Sequence, residues 1–398
     1  MQDDFQGALG AQLIEFEERG LRRRLQPVDS SQGSRVVISG REVLNFSSND
    51  YLGLATSPWL KQAAARALEQ YGSGSGAARL LSGSLRPHHD LEDALAEFKG
   101  TEAALCFNSG YAAALGAVGA VLGRGDIAIL DKLAHASLVD AARLSGATLR
   151  VFRHNDLDDL EAKLRWARRS TGVRRPRVLI LTESVFSMDG DIAPLRNIVD
   201  LKDRHGAWLL VDEAHATGLY GEERRGVLEE FGIAGRVELQ MGTLGKALGS
   251  AGGYLCGTRP LVDVLLNRAR PFLFSTAPVP AQAAAATAAI AVVRSAEGAR
   301  RRESLWGLVD QLKNRLIQSG WKLPAVRSAI LPLRIGGEEA ALRRAQSLHA
   351  LGLWVPAVRY PTVARGAARL RITVSAAHQP EDLDRLCAAL ATTESGNG

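Results

Sequence analysis

The sequence predicts an α/β protein: a large domain with a mostly parallel seven-stranded sheet flanked by helices, followed by a smaller α/β domain. Three observations carry this expectation. The chain has 398 residues, more than one hydrophobic core usually serves. From about residue 100, short apolar stretches alternate with helical ones, as strands covered on both faces do. After Pro280 the pattern changes to two long helical stretches before strands return. These shifts place an N-terminal helix and hairpin at 1–45, the large domain at 46–285 and the small one at 286–398.

Residues 1–30 read as an amphipathic helix stopping near Arg22–Arg24, and 35–46 as a hairpin leading into Ser47-Ser48-Asn49-Asp50-Tyr51-Leu52-Gly53. The expected sheet strands are Ala103–Phe107, Asp126–Leu130, Thr148–Phe152, Val178–Thr182, Trp208–Val211, Glu238–Met241 and Tyr254–Gly257. Helical patterns between them cover Tyr111–Leu122, Ala136–Ser145, Leu157–Ser170 and Pro194–Arg204. In the C-terminal third, helices at 281–295 and 298–318 precede a strand at Ala329–Ile335 and a helix at 338–350. Strands at Trp354–Val358 and Leu370–Val374 and a helix at 380–391 follow, and residues 394–398 should fray.

Composition excludes several classes. A hydrophobic fraction of 46% with 23% charged residues is that of a globular chain, not a disordered one. The longest apolar run, Ala281–Val293, is too short and too Ala-rich to span a bilayer, so no membrane role is expected. The start, MQDDFQGALG, is acidic and lacks the basic and apolar regions of a signal peptide. Cys106, Cys256 and Cys387 are odd in number and far apart, which argues for a reduced, cytoplasmic setting and no metal site. The net charge of +6 is spread over scattered clusters (Arg22–Arg24, Arg168–Arg169, Arg174–Arg177, Arg300–Arg302), so it points to no nucleic acid. Such a potential suits an anionic thioester substrate.

Four features fall where open parallel sheets bind ligands, at the carboxyl ends of strands. Asn108-Ser109-Gly110-Tyr111 forms a strand-to-helix turn whose free N–H groups suit a phosphate. Val211-Asp212-Glu213-Ala214-His215 closes an apolar strand, and an ionised Asp there can keep a pyridine nitrogen protonated, as pyridoxal phosphate (PLP) chemistry requires. The same Asp-Glu-Ala-His string occurs in helicases, but the phosphate loop a helicase needs is missing from this sequence. Thr243-Leu244-Gly245-Lys246 puts a lysine in a Gly-rich bend one unit further on, a desolvated amine fit to form an imine. His135, ahead of Ala136-Ser137, either caps a helix or stacks on a cofactor ring; the residues alone leave both open.

As an ordered set, Ser-Asn-Asp-Tyr-Leu-Gly (48–53), Ser-Gly-Tyr (109–111), Asp-x-x-x-His-Ala-Ser (131–137), Glu-Ser-Val-Phe-Ser-Met-Asp-Gly-Asp (183–191), Asp-Glu-Ala-His-x-Thr-Gly (212–218) and Thr-x-Gly-Lys (243–246) resemble the α-oxoamine synthases. These are fold-type-I PLP enzymes that condense an amino acid with an acyl thioester and release carbon dioxide. The resemblance runs from Arg22–Arg24 to Arg369-Leu370-Arg371-Ile372-Thr373. It implies that Lys246 forms the imine with PLP, that Asp212 pairs with the pyridine nitrogen, and that His215 and Ser187 approach the phenolic oxygen. By the same resemblance His135 stacks on the ring and assists proton transfer, while Ser109, Gly110, Tyr111 and Thr243 surround the phosphate. Ser275 and Thr276 match a segment supplied by a partner subunit, which implies a homodimer with shared sites. Arg371 and Asn49 would hold the amino-acid carboxylate, and Arg22, His135 and Thr362 match substrate-contacting positions.

Within the family, Leu21-Arg22-Arg23-Arg24, Arg79-Leu80-Leu81-Ser82-Gly83-Ser84, Ala251-Gly252-Gly253-Tyr254-Leu255-Cys256 and Arg359-Tyr360-Pro361-Thr362-Val363 are most similar to the branch acting in biotin synthesis. That branch joins L-alanine to a pimeloyl group carried by coenzyme A or acyl carrier protein. Tyr360 departs from the proline common at its position. Rival readings are another substrate pair within the family, a fold-type-I aminotransferase, and a non-catalytic scaffold or nucleic-acid binder. Asn49 and the Ser-Met-Asp-Gly-Asp motif argue against the second, and Lys246, Asp212 and the scattered charge against the third.

Overall fold

In the computed structural model, residues 4–169 and 175–394 are described. Residues 1–3, Ser170, Arg174 and residues 395–398, which entered the expectations above, lie outside them. A hairpin of β1 (Arg35–Ile38) and β2 (Arg41–Asn45) opens the ordered core. The main sheet comprises β3 (Ala103–Phe107), β4 (Ile127–Asp131), β5 (Thr148–Phe152), β6 (Val178–Glu183), β7 (Trp208–Asp212), β8 (Leu239–Thr243) and β9 (Gly253–Gly257). Its order is β3-β9-β8-β7-β6-β4-β5. All neighbours run parallel except β9, which is antiparallel to both β3 and β8. The expected seven strands are all present, each within a residue or two of its predicted bounds.

Burial on both faces explains why the inner strands read as mainly apolar runs, while β5 at the sheet edge carries Thr148 and Arg150. In β4, Ile127 and Ile129 enter one hydrophobic cluster while Ala128 and Leu130 enter the other, as the two-residue period of a strand demands. The first cluster continues into Leu331, Leu370 and Ile372 of a second sheet. That sheet contains β10 (Ile330–Gly336), β12 (Ala357–Val358) and β13 (Ala368–Thr373), ordered β10-β13-β12. A short strand, β11 (Leu353–Trp354), instead pairs parallel with β2.

Three expectations need correction. The single strand expected at Trp354–Val358 is split between two sheets, because Pro356 has no N–H to continue a ladder. The first helix spans only Phe5–Glu18; Gly20, at φ 61, turns the chain out of it. Its apolar residues Phe5, Leu9, Leu13 and Ile14 lie on the surface of the chain. Residues 54–100, to which the pattern assigned no element, hold helices Pro58–Tyr71 and Arg86–Lys99.

Candidate active site

The parallel strands deliver their last residues to one end of the sheet, and four of them end on polar side chains: Asp131 on β4, Glu183 on β6, Asp212 on β7 and Thr243 on β8. Glu183 and Asp212 are direct partners in the ladder. The Asp212 carboxylate accepts a hydrogen bond from the Ala214 N–H at 2.8 Å, which bends the chain so that His215 returns to the same side. Gly110, Tyr111, His135, Glu183, Asp212, His215, Thr243 and Lys246 line one cavity of about 170 Å³. The acid and the amine expected to bracket a pyridine therefore share a cavity.

Burial sets the charges there. It pushes the Asp212 carboxyl up and the Lys246 amine down, and each is pulled back by the other's charge. Among the described residues, no hydrogen bond holds Lys246 Nζ, so its nitrogen is free for chemistry. Glu183 is raised well above the carboxylate range by burial and then by Asp212. One of its oxygens, Oε1, has no partner among the described residues. Behind the strand end, Glu213 points the other way and meets Lys99 at 2.5 Å, with both side chains at most 1% exposed.

His215 is neutral, its pKa held well below 6.5 by burial, with Lys246 and Arg371 adding to the effect. Its Nδ1 lies 2.6 Å from the Tyr51 hydroxyl, a much shorter contact than the 3.2 Å from that hydroxyl to Asn49 Oδ1. Because Asn49 Oδ1 already has a donor in Arg371, we assign the Tyr51 proton to the shorter contact: Tyr51 donates to Nδ1, and the ring proton sits on Nε2. Asn49 Oδ1 also accepts from the Arg371 guanidinium at 3.1 Å, and Arg371 Nε donates to the Ser187 carbonyl at 2.7 Å. Arg371 is 5% exposed, and among the described residues it has no carboxylate partner. A buried guanidinium held only by neutral oxygens is prepared for an anion.

His135 is the N-cap of helix Ala136–Leu144, its Nδ1 accepting from the Ser137 N–H, and it also lines the cavity. The capping role left open by the sequence is therefore present, and it leaves the ring on the cavity wall. Ser109 caps helix Gly110–Val121, leaving the helix's first N–H groups at the cavity wall. Backbone approach here is close: a methyl on Gly253 would lie 2.4 Å from the Ser109 carbonyl and 2.5 Å from Gly110 N. An anion-binding helix end, a buried acid beside an unpartnered carboxyl oxygen, and a desolvated amine in one cavity fit PLP.

The remaining expected residues lie nearby or elsewhere. Ser187 reaches the network through its carbonyl. Arg22 and Thr362 line a separate groove of about 690 Å³, together with Arg23, Arg24, Met188, Trp354 and Arg359. Ser275 and Thr276 stay outside this chain's cavity; the Thr276 carbonyl accepts from Asn108 and the residue bridges to Ala78. The sequence reading assigned no role to Glu183, Tyr51 or Lys99. The first two sit in the quoted motifs at 183–191 and 48–53, where a carboxylate ending an apolar strand was a usable signal. Lys99 carried none, since nothing local tells a buried helix-end lysine from a surface one.

The sequence matches the family model for aminotransferase class I and II over residues 41–390. It is 47% identical to an 8-amino-7-oxononanoate synthase of Geobacter sulfurreducens, over 96% of this chain and 97% of that one. A second such synthase, from Anaeromyxobacter dehalogenans, is 48% identical over 96% and 94%. Among solved structures, the serine palmitoyltransferase of S. paucimobilis with a bound PLP–myriocin aldimine superposes with a TM-score of 0.91 at 31% identity, covering 98% of this chain and 97% of that one.

Proposed function

Since the chain belongs to the aminotransferase class I and II family and, within it, to the PLP-dependent 8-amino-7-oxononanoate synthases, we propose that it joins L-alanine to a pimeloyl thioester. The products are 8-amino-7-oxononanoate, carbon dioxide and free thiol. The observation that carries the reading is the meeting of Lys246 and Asp212 in one cavity with an unpaired, buried Arg371 one network away.

PLP, when bound, supplies an electron sink for a carbanion at the amino-acid Cα. Lys246 would hold it through its amine, Asp212 at the pyridine nitrogen and the start of helix Gly110–Val121 at the phosphate. His215 Nε2–H is the donor left for the phenolic oxygen. Arg371 and Asn49 hold the alanine carboxylate and orient the Cα–H bond. Lys246 Nζ, free once the alanine amine has displaced it and with its pKa lowered by burial, would take the Cα proton and later return one. His135, held by the Ser137 N–H donating to its Nδ1, polarises the thioester carbonyl through Nε2.

The basic groove of Arg22, Arg23, Arg24 and Arg359 receives the anionic carrier of the acyl group, with Trp354 and Met188 along the chain. In this reading residues 46–285 bind the cofactor and 286–398 form a smaller unit beside it. The functional form is a homodimer in which Ser275 and Thr276 complete the neighbouring site, and the reaction runs in the cytoplasm. No helix among the described residues is long and apolar enough to cross a membrane.

Mass spectrometry of products tests the substrates. L-alanine with pimeloyl-CoA or pimeloyl-acyl carrier protein should give 8-amino-7-oxononanoate, while glycine with acetyl-CoA and serine with palmitoyl-CoA should give little. Preference for either of the latter pairs would overturn the assignment.

A further inference from the structure

Behind the cavity, His154 stands between two carboxylates that none of the roles above uses. It follows the end of β5, and its Nδ1 lies 2.9 Å from Asp131 Oδ1 while its Nε2 lies 2.8 Å from Asp191 Oδ2. Asp131 is fully buried at the end of β4 and also accepts from the Leu133 N–H at 2.8 Å and the Asn155 N–H at 3.0 Å. Asp191 accepts from the Asn155 side-chain amide at 3.0 Å. The His154 and Phe186 rings pack edge to face, centroids 4.4 Å apart at 89°, and Asn155 holds the left-handed region at φ 56. The segment is fixed by its surroundings rather than by local preference.

Charge-bearing acceptors on both ring nitrogens leave one arrangement in which neither contact is repulsive: both nitrogens carry protons and the ring is a cation. Burial opposes that charge, but the hydrogen bonds to Asp131 and Asp191 outweigh it and raise the pKa to about 10. Asp131 and Asp191 are the titratable groups facing the ring. Asp131 closes β4 just ahead of the loop that carries His135, and Asp191 lies in the loop that carries Ser187. Asp131 precedes His135 by four residues, and Asp191 follows Ser187 by four. Ser187 in turn holds Arg371 through its carbonyl.

We propose that His154 is a positioning residue, an imidazolium clamp that ties the loop carrying His135 to the loop carrying Ser187 and so fixes the mouth of the cofactor cavity. The inference rests on the reading of that cavity as a PLP site. Neutralising or removing the ring frees one loop from the other. Contacts made by His135 and by Arg371 then lose their common reference, while the groove of Arg22 and Thr362 takes only Met188 from these two loops and the rest of its lining from other segments. The clamp therefore acts on the amino-acid half of the reaction.

Two measurements test it. In ¹⁵N-histidine-labelled holoenzyme, the His154 ring should show both N–H groups protonated through pH 8.5; a ring that titrates near pH 6.5 overturns the proposal. In His154→Gln, which keeps one donor, kcat per cofactor-loaded site and PLP affinity should each fall about tenfold to a hundredfold. The KM for the thioester should stay within about twofold. A variant that merely loses thermal stability, with kcat per loaded site unchanged, overturns it as well. Failure of the wild-type chain to make product strikes at the substrate reading, whereas an active wild type with an insensitive His154 strikes at the clamp alone.

Discussion

Replacing Tyr51 by Phe removes one oxygen and nothing else, which makes the cost readable. Tyr51 is fully buried and His215 is 7% exposed, so water does not replace the lost hydroxyl. Asn49 Oδ1 keeps its bond from Arg371, but His215 Nδ1, paired at 2.6 Å in the native chain, faces a C–H edge instead. Leaving one buried acceptor unpaired costs about 1–3 kcal/mol. At about 1.4 kcal/mol per decade, that is roughly a fivefold to hundredfold loss, shared between PLP affinity and kcat/KM for the amino acid. The free His215 ring also loses the partner that keeps its proton on Nε2. Burial pushes the Tyr51 phenol up to about 12 and holds His215 well below its ordinary range, so neither group changes charge between pH 6 and 9. The defect should be flat across that interval. PLP titration of apo protein and steady-state kinetics at pH 6, 7.5 and 9 are the assays. Unchanged PLP affinity with unchanged kcat/KM would refute the tautomer assignment, and so would a defect that vanishes at one end of the pH range.

Other consequences are as direct. Glu213→Gln strips the charge that compensates Lys99, whose other contact is the Arg225 carbonyl; breaking such a buried pair costs about 3–5 kcal/mol, visible as a lowered urea midpoint. Gly253→Ala forces a methyl into the Ser109 carbonyl and Gly110 N, and PLP retention after gel filtration should fall more than overall helicity by circular dichroism. The raised pKa of His154 means that folding takes up a proton between pH 6.5 and about 10. The stabilisation is complete below pH 6.5 and declines as pH rises towards 10, by at most about 1.4 kcal/mol per unit. The gap in urea midpoint between wild type and His154→Gln should accordingly be wider at pH 7 than at pH 9.

How far the sequence could be read follows from what each segment is tied to. Most of the sheet strands were legible because burial on both faces leaves little room for polar residues. Edge strand β5, with Thr148 and Arg150 unburied, was legible by its place between two helical patterns. The site was legible because its polar residues lie at or just beyond the ends of the buried runs. Asp212, Lys246 and His135 are of this kind. The helices at Pro58–Tyr71 and Arg86–Lys99 were not, because the Gly-rich stretch between them masks their periods and they owe their place to packing on helix Pro280–Arg294. Tyr51 and Lys99 act through partners more than a hundred residues away, His215 and Glu213, and no local pattern records such a pairing.

The antiparallel strand β9 lies between β3 and β8 and is the last of the seven to be made. On a ribosome, β3 would emerge with neither flank paired and wait for some 150 residues of chain before Gly253–Gly257 arrives to pair with it. Closing so long a loop is slow, and until then an apolar edge is available to the wrong neighbour. Nascent chains stalled between Thr243 and Gly253 should thus be the form most in need of a chaperone.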